Sequence, residues 1–170
     1  MSNKIISAKK LSVAGILVAI GVVCSTFSIP IGFAKVFPVQ HFVNVLAGVI
    51  LGPVYSVLVA FSTSILRNIM GTGSILAFPG SMCGAILCGL VYKHTRKLAL
   101  TILGETIGTG IIGAIFAYLA AKVFLSLQAP YYVYILPFGL SSVTGAILSG
   151  LLLATLRKTG ILHTATGTIN

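Results

Sequence analysis

LALTILGETIGTGIIGAIFAYLAAKVFL, residues 98–125, is a run of 28 residues in which only Glu105 and Lys122 are charged. A helix needs about 20 apolar residues to cross the hydrocarbon core of a bilayer. This run is long enough, and its two charges are too few to hold it in water. The rest of the chain repeats the pattern. Of 170 residues, 57% are apolar and 7% charged. An ordinary soluble domain has about 25% charged residues. So few charges cannot cover a water-facing surface, which excludes a soluble enzyme, a disordered tail and a nucleic-acid module. The composition points to an all-α integral membrane protein with lipid as its outer solvent.

Six apolar segments can be drawn as one domain over residues 1–170: about 11–29, 39–51, 53–70, 79–92, 98–125 and 135–156. Pro30, Pro38, Gly52-Pro53 and Gly71-Thr72-Gly73 punctuate them, and Pro79 is expected at the first position of the fourth helix. Segments two and four are short for full spans. The first follows a basic start, as a signal peptide does. Its 19 residues exceed a signal core, and no small-residue cleavage site follows, so a retained helix is expected.

Lys plus Arg is 11 and Asp plus Glu is 1, a formal charge of +10. The basic residues cluster at Lys4, Lys9, Lys10, at Lys93, Arg96, Lys97, and at Arg157, Lys158. They flank apolar runs, as cytoplasmic loops do under the positive-inside rule. Six spans put all three clusters, and both termini, in the cytoplasm; five or seven would not. Lys35, Arg67 and Lys122 are left over. The loops 30–38, 71–78 and 126–134 then face outward, and Tyr131, Tyr132 and Tyr134 read as an aromatic belt.

Small residues recur at helix-face spacing: Ala8, Ser12, Gly15 and Ala19; Ser56, Ala60 and Ser64; Gly80 and Gly84; Gly104 and Gly108, then Gly113, Ala117 and Ala121; Gly145 and Ser149. Such faces let helices approach closely in lipid. Most are expected to pack the bundle. The first begins at the basic end and is the candidate for docking another protein.

Catalytic motifs are wanting. Gly108-Thr109-Gly110-Ile111-Ile112-Gly113 matches the dinucleotide fingerprint in letters but lies in an apolar helix with no preceding strand. The sequence has no GxxxxGK[ST], HExxH, CxxC or GxSxG. Cys24, Cys83 and Cys88 lie in apolar runs and read as packing residues. No catalytic residue, metal site or cofactor is expected. The polar residues that stand out are few. Glu105, the one acid, is either a ligand or proton site or a structural hydrogen-bond centre. Arg67-Asn68, followed by Gly71-Thr72-Gly73-Ser74, forms a polar group at an outer mouth. Arg67 could bind an anionic or electron-rich ligand, cap the carbonyls of its own helix end or snorkel to the interface; a pair with Glu105 is disfavoured by depth. Gln40, His41 and Asn44 open the second segment as a cavity lining, with Lys35 in the loop before them.

These residues resemble the ThiW family, the substrate-binding S components of energy-coupling-factor (ECF) transporters. The likeness lies in Ala34-Lys-Val-Phe-Pro-Val-Gln-His41, Asn44-Val-Leu-Ala-Gly48, Leu51-Gly-Pro53, Arg67-Asn68, Gly71-Thr-Gly-Ser74, Leu76-Ala-Phe-Pro-Gly-Ser-Met82 and Gly104-Glu-Thr-Ile-Gly-Thr-Gly110. It spans about residues 9–125; the sixth helix matches only in character. The resemblance implies a six-helix plasma-membrane protein that captures a thiamine precursor, hydroxyethylthiazole, from outside. Its implied partners are a transmembrane T component and two cytoplasmic ATPases, with no nucleic acid. In such components the first helix docks the T component, which here selects Ala8, Ser12, Gly15 and Ala19, though without a strict AxxxA pair. A thiazole is a flat, nearly neutral ring with a hydroxyl handle, so its site should be mostly apolar with a few placed polar groups. Phe33, Phe37 and Phe78 could supply ring faces. Lys35, Gln40, His41, Asn44, Arg67, Asn68, Thr72, Ser74, Ser81 and Glu105 could supply polar contacts. The alternative is a stand-alone secondary transporter of a small heterocycle, coupled to protons through Glu105.

Overall fold

The computed structural model describes residues 8–31 and 34–160, without the side chains of 30, 31, 34 and 35. Seven helical segments form the bundle: α1 (Ala8–Val23), α2 (Pro38–Ile50), α3 (Pro53–Ile69), α4 (Ala77–Thr95), α5 (Leu98–Ile107), α6 (Ala114–Phe124) and α7 (Tyr132–Lys158). A 3₁₀ turn, Cys24–Thr26, extends α1. A π-helical segment, Gly108–Gly113, joins α5 to α6, so that 98–124 runs on as one rod. Among the described residues, three stretches are long and apolar enough to span: Ala8–Thr26, Leu98–Phe124 and Tyr132–Lys158.

The all-α expectation misses one small feature. In the first outer loop, β1 (Ile29–Ile31) pairs antiparallel with β2 (Ala34–Val36), with Ile29 opposite Val36 and Pro30 opposite Lys35. Ile29, Ile31 and Val36 favour extended backbone, and Pro30 is tolerated because a two-stranded ribbon has only edges. The helix starts also differ. Helix α4 runs 19 residues, longer than the segment 79–92, and Pro79 is its third residue, not its first. The first turn has no intrahelical use for that N–H, so the ring costs little there. Helix α7 begins at Tyr132 and carries Pro137 within it.

Helix α2 is the hub. Its 13 residues rise about 20 Å, and ten of them are buried, with Val45, Ala47 and Asn44 fully enclosed. It packs against α1, α3, α4, α5 and α7. The close approaches fall where the sequence is smallest. A Cβ on Gly145 would run into the Pro38 carbonyl oxygen, and one on Gly113 would lie 2.6 Å from the Gly80 Cα. Ser56, Ala60, Ser64, Ala117, Ala121 and Ser149 are likewise buried. One small face is turned the other way: Ala8, Ser12, Gly15 and Ala19 are all exposed, and nothing lies within 4 Å of a Cβ placed on Gly15. Helix α1 meets the bundle with Ala14, Leu17, Gly21 and Val22 instead.

The connectivity sorts the two ends. Lys9 at the start of α1, Lys93, Arg96 and Lys97 between α4 and α5, and Arg157 and Lys158 at the end of α7 share one end and are exposed. Lys4 lies outside the described residues. The opposite end gathers the hairpin, the start of α2, the 71–76 turn and the α6–α7 loop. Positive charge marks the first end as cytoplasmic.

Candidate functional site

A cavity of about 700 Å³ opens at the outer end. It is bounded by the end of α1, the first turn of α2, the end of α3 with its 71–74 turn, the start of α4, and the first half of α7. Helix α2 is short, so its first turn ends below the neighbouring helices and leaves this space above it.

The α3 side is built around Arg67. Its side chain is only 2% exposed. Nη1 donates to Gln40 Oε1, Nη2 donates to the Thr72 carbonyl at 3.2 Å, and the guanidinium lies 4.4 Å from the centre of the Phe37 ring. Gln40 in turn donates to Ser64 Oγ at 2.9 Å. The turn beyond the helix is held in place. The Thr72 and Gly73 N–H groups both donate to the Arg67 carbonyl at 2.9 Å. Asn68 Nδ2 donates to the Ser64 and Ser74 carbonyls at 2.8 and 3.1 Å. Gly71 has φ +71, a conformation that favours glycine, and a Cβ on Gly73 would press on the Asn68 amide nitrogen at 2.9 Å. The Gly-Thr-Gly sequence is thus what lets the chain fold back over Arg67.

The other polar centre lies one layer deeper. Glu105 is fully buried; its Oε1 accepts from His41 Nδ1 at 2.9 Å, Asn44 Nδ2 at 3.2 Å and Thr109 Oγ1 at 3.0 Å. Asn44 also donates to the Ser81 carbonyl, and the Thr109 hydroxyl, which has one proton to give, lies 3.2 Å from the Gly80 carbonyl as the second acceptor within its reach. Gly84 makes room for the carboxylate, since a Cβ there would sit 2.6 Å from each of its oxygens. Thr109 belongs to the π segment, whose irregular winding lies where α4 and the long rod approach through Gly84 and Gly108. The contact between Nδ1 and the carboxylate holds the His41 imidazole at the cavity wall, which it lines.

Of the residues expected at the site, Phe37, Gln40, His41, Arg67, Thr72, Ser74 and Ser81 line the cavity. Four others do not. Asn44 and Glu105 are enclosed beneath it and touch it only through His41 and Ser81. Asn68 serves the turn. Phe78 turns away and meets Phe61 edge-on, with ring centres 5.8 Å apart, where Phe61 is exposed to lipid. Helical phase separates it from its neighbour: Ala77 lines the cavity, and Phe78 follows about 100° further round α4. The Lys35 and Phe33 side chains lie outside the described residues. Arg67 and Glu105 form no ion pair; the described ion pair is His41–Glu105.

The sequence reading missed the α7 wall, Val133, Tyr134, Pro137, Phe138 and Ser141, and the α1 end, Ser25, Thr26 and Ser28. Ser141 Oγ accepts from the Phe37 N–H at 3.1 Å, tying α7 to the hairpin exit. Tyr131 and Tyr132 are exposed as belt residues should be, but Tyr134 is 8% exposed and faces the cavity. Pro137 inside an apolar run was the available signal. The arrangement joins an apolar aromatic wall to a wall of hydrogen-bond donors. It suits binding a small, flat, partly polar molecule, and no nucleophile–base pair is directed into it among the described residues.

Residues 11–159 match a family model described as thiamine-precursor transporter protein (ThiW). A solved structure described as the S component of a bacterial ECF transporter superposes with a TM-score of 0.67 at 18% identity, over 89% of this chain and 94% of the other. No curated protein matches the sequence.

Proposed function

We infer that this chain, which belongs to the ThiW family of thiamine-precursor transporter proteins and has the fold of an ECF S component, captures hydroxyethylthiazole at its outer side. It is a multi-pass protein of the plasma membrane. One observation supports the capture reading above the rest: the cavity lies at the end opposite the exposed basic clusters and joins ring faces to placed donors. A thiazole ring fits against Tyr134, Pro137, Phe138 and Leu76, while its hydroxyethyl group reaches Gln40 or His41.

In this reading the chain binds and partners supply the energy. A transmembrane T component would seat on the exposed small-residue face of α1, and two cytoplasmic ATPases would drive reorientation. The Ala8, Ser12, Gly15 and Ala19 face favours this, because a close helix contact needs small residues and all four are exposed among the described residues.

The first test is calorimetric titration of the purified chain with hydroxyethylthiazole, with thiamine as control. Tight binding of the thiazole alone is expected. Binding of neither would return the substrate to unknown. The second is growth rescue by hydroxyethylthiazole in cells lacking the ATPases; rescue that persists would sink the ECF mechanism. Uptake into vesicles driven by a proton gradient alone would move the weight to coupling through Glu105.

A further inference from the structure

We propose that the cavity is built for a thiazole bearing an oxyanion, a carboxylate or a phosphate ester, seated on Arg67. The proposal rests on the reading of this cavity as an outward capture site and replaces the neutral alcohol named there with an anionic thiazole. Charge carries it. Arg67 lines the cavity, yet its acceptors, Gln40 Oε1 and the Thr72 carbonyl, are both neutral, and its buried Nε has no partner. The chain has one acidic side chain. That side chain is Glu105, whose carboxylate oxygen Oε1 is occupied by His41, Asn44 and Thr109. No second carboxylate side chain exists in the sequence to neutralise the guanidinium. A buried cation held by neutral acceptors alone is costly, and a ligand oxyanion relieves that cost. A neutral alcohol supplies one acceptor and no charge.

Geometry agrees. The guanidinium carbon lies 4.4 Å from the centre of the Phe37 ring, and the bonds to Gln40 Oε1 and the Thr72 carbonyl hold the group in place. A planar fork so fixed matches carboxylate or phosphate oxygens in pairs. Ser28 and Ser74 bring hydroxyls to the same cavity, whereas Ser25 Oγ donates to the Val22 carbonyl at 2.6 Å and Thr72 Oγ1 to the Arg67 carbonyl at 3.4 Å. The ring is left to the α7 part of the wall, Tyr134, Pro137 and Phe138. A cavity of about 700 Å³ has room for the extra substituent.

The test is calorimetry on the full-length chain in detergent with three probes: hydroxyethylthiazole, its phosphate monoester, and 4-methylthiazole-5-acetate. At least one anion should bind about tenfold or more tightly than the alcohol, because charge-assisted bonds are roughly twice as strong as neutral ones. Which anion binds distinguishes phosphate from carboxylate. In Arg67→Gln the ratio of anion to alcohol affinity should collapse to about twofold or less, whatever the change in absolute affinity. Retained anion preference in that variant would remove Arg67 as the seat. If Arg67→Gln fails to fold, the wild-type series still decides, and Arg67→Lys, which keeps the charge and loses the fork, should weaken the preferred anion. An alcohol that binds as tightly as both anions overturns the proposal and leaves the capture reading standing. No binding by any probe overturns both.

Discussion

Gly84→Ala should damage this protein out of proportion to the one methyl it adds. The new Cβ would lie 2.6 Å from Glu105 Oε1 and from Oε2, and closer still to Thr109 Oγ1. A flexible carboxylate could swing aside; this one is fixed by His41 Nδ1 at 2.9 Å, Asn44 Nδ2 at 3.2 Å and Thr109 Oγ1 at 3.0 Å. Either α4 moves away from the 98–124 rod, or the carboxylate moves and buried donors lose their acceptor. Overpacking alone costs about 1–3 kcal/mol, and each orphaned buried donor about as much again. The displaced carboxylate would also release His41, so ligand affinity should fall together with stability. Thermal melts in detergent should show a drop of several degrees, with calorimetry on the same sample showing weaker hydroxyethylthiazole binding. Gly15→Ala is the matched control, since nothing lies within 4 Å of its Cβ, and it should change neither reading. A Gly84→Ala protein that melts and binds like wild type would refute the claim that the single acid is rigidly held.

Asn44→Ala should lower both stability and affinity by about 1–3 kcal/mol, because Asn44 bonds Glu105 and Ser81 from beneath the cavity; unchanged melts and titrations would remove it from the site's support. Phe78→Leu should leave affinity within about twofold, since its ring packs on Phe61 outside the cavity; a large loss by calorimetry would move the binding site towards α3. Gly15→Leu and Ala19→Leu should spare ligand binding and block co-purification with the T component, and normal assembly in both would acquit α1 as the docking face.

The membrane class and the polar mouth were legible because they depend on composition and on local strings. Gly71-Thr72-Gly73 needs only its own backbone to fold over Arg67, and three consecutive letters announce it. Gln40 and His41 were legible because Pro38 starts their helix and so fixes where its first turn points. What stayed hidden depends on helix rotation. Gln40 and Asn44 look equivalent at i, i+4, yet α3 takes one and α4 the other, through Ser64 and Ser81. The α7 wall was missed for the same reason: in a uniformly apolar helix the residues facing lipid and those facing a cavity are chemically alike. Tyr134 differs from Tyr131 and Tyr132 only by its angle about the helix axis. The π segment could not be read either, because Gly108-Thr109-Gly110 allows several windings and the contact with Gly84 selects one.

The single acid ties these pieces into one argument. A protein immersed in lipid minimises buried charge, and this chain keeps two charged side chains fully or nearly fully enclosed, Glu105 and Arg67. They could have been placed against each other and so made cheap. Instead the carboxylate is matched to an imidazole and two neutral donors below the cavity, and the guanidinium to an amide, a carbonyl and a ring beside it. Keeping opposite charges apart in a low-dielectric interior raises the energy of the unliganded state. That arrangement is reasonable in a capture protein, where the molecule that relieves the separation is the one to be caught. Below the cavity Gly84 leaves room for the carboxylate, and His41, Asn44 and Thr109 hold its Oε1 there. A double variant that places a carboxylate beside Arg67, Gln40→Glu with Glu105→Gln, should therefore keep the protein folded by melting analysis yet bind an anionic thiazole at least about tenfold more weakly. Unchanged affinity would mean that the separation of charge has no part in capture.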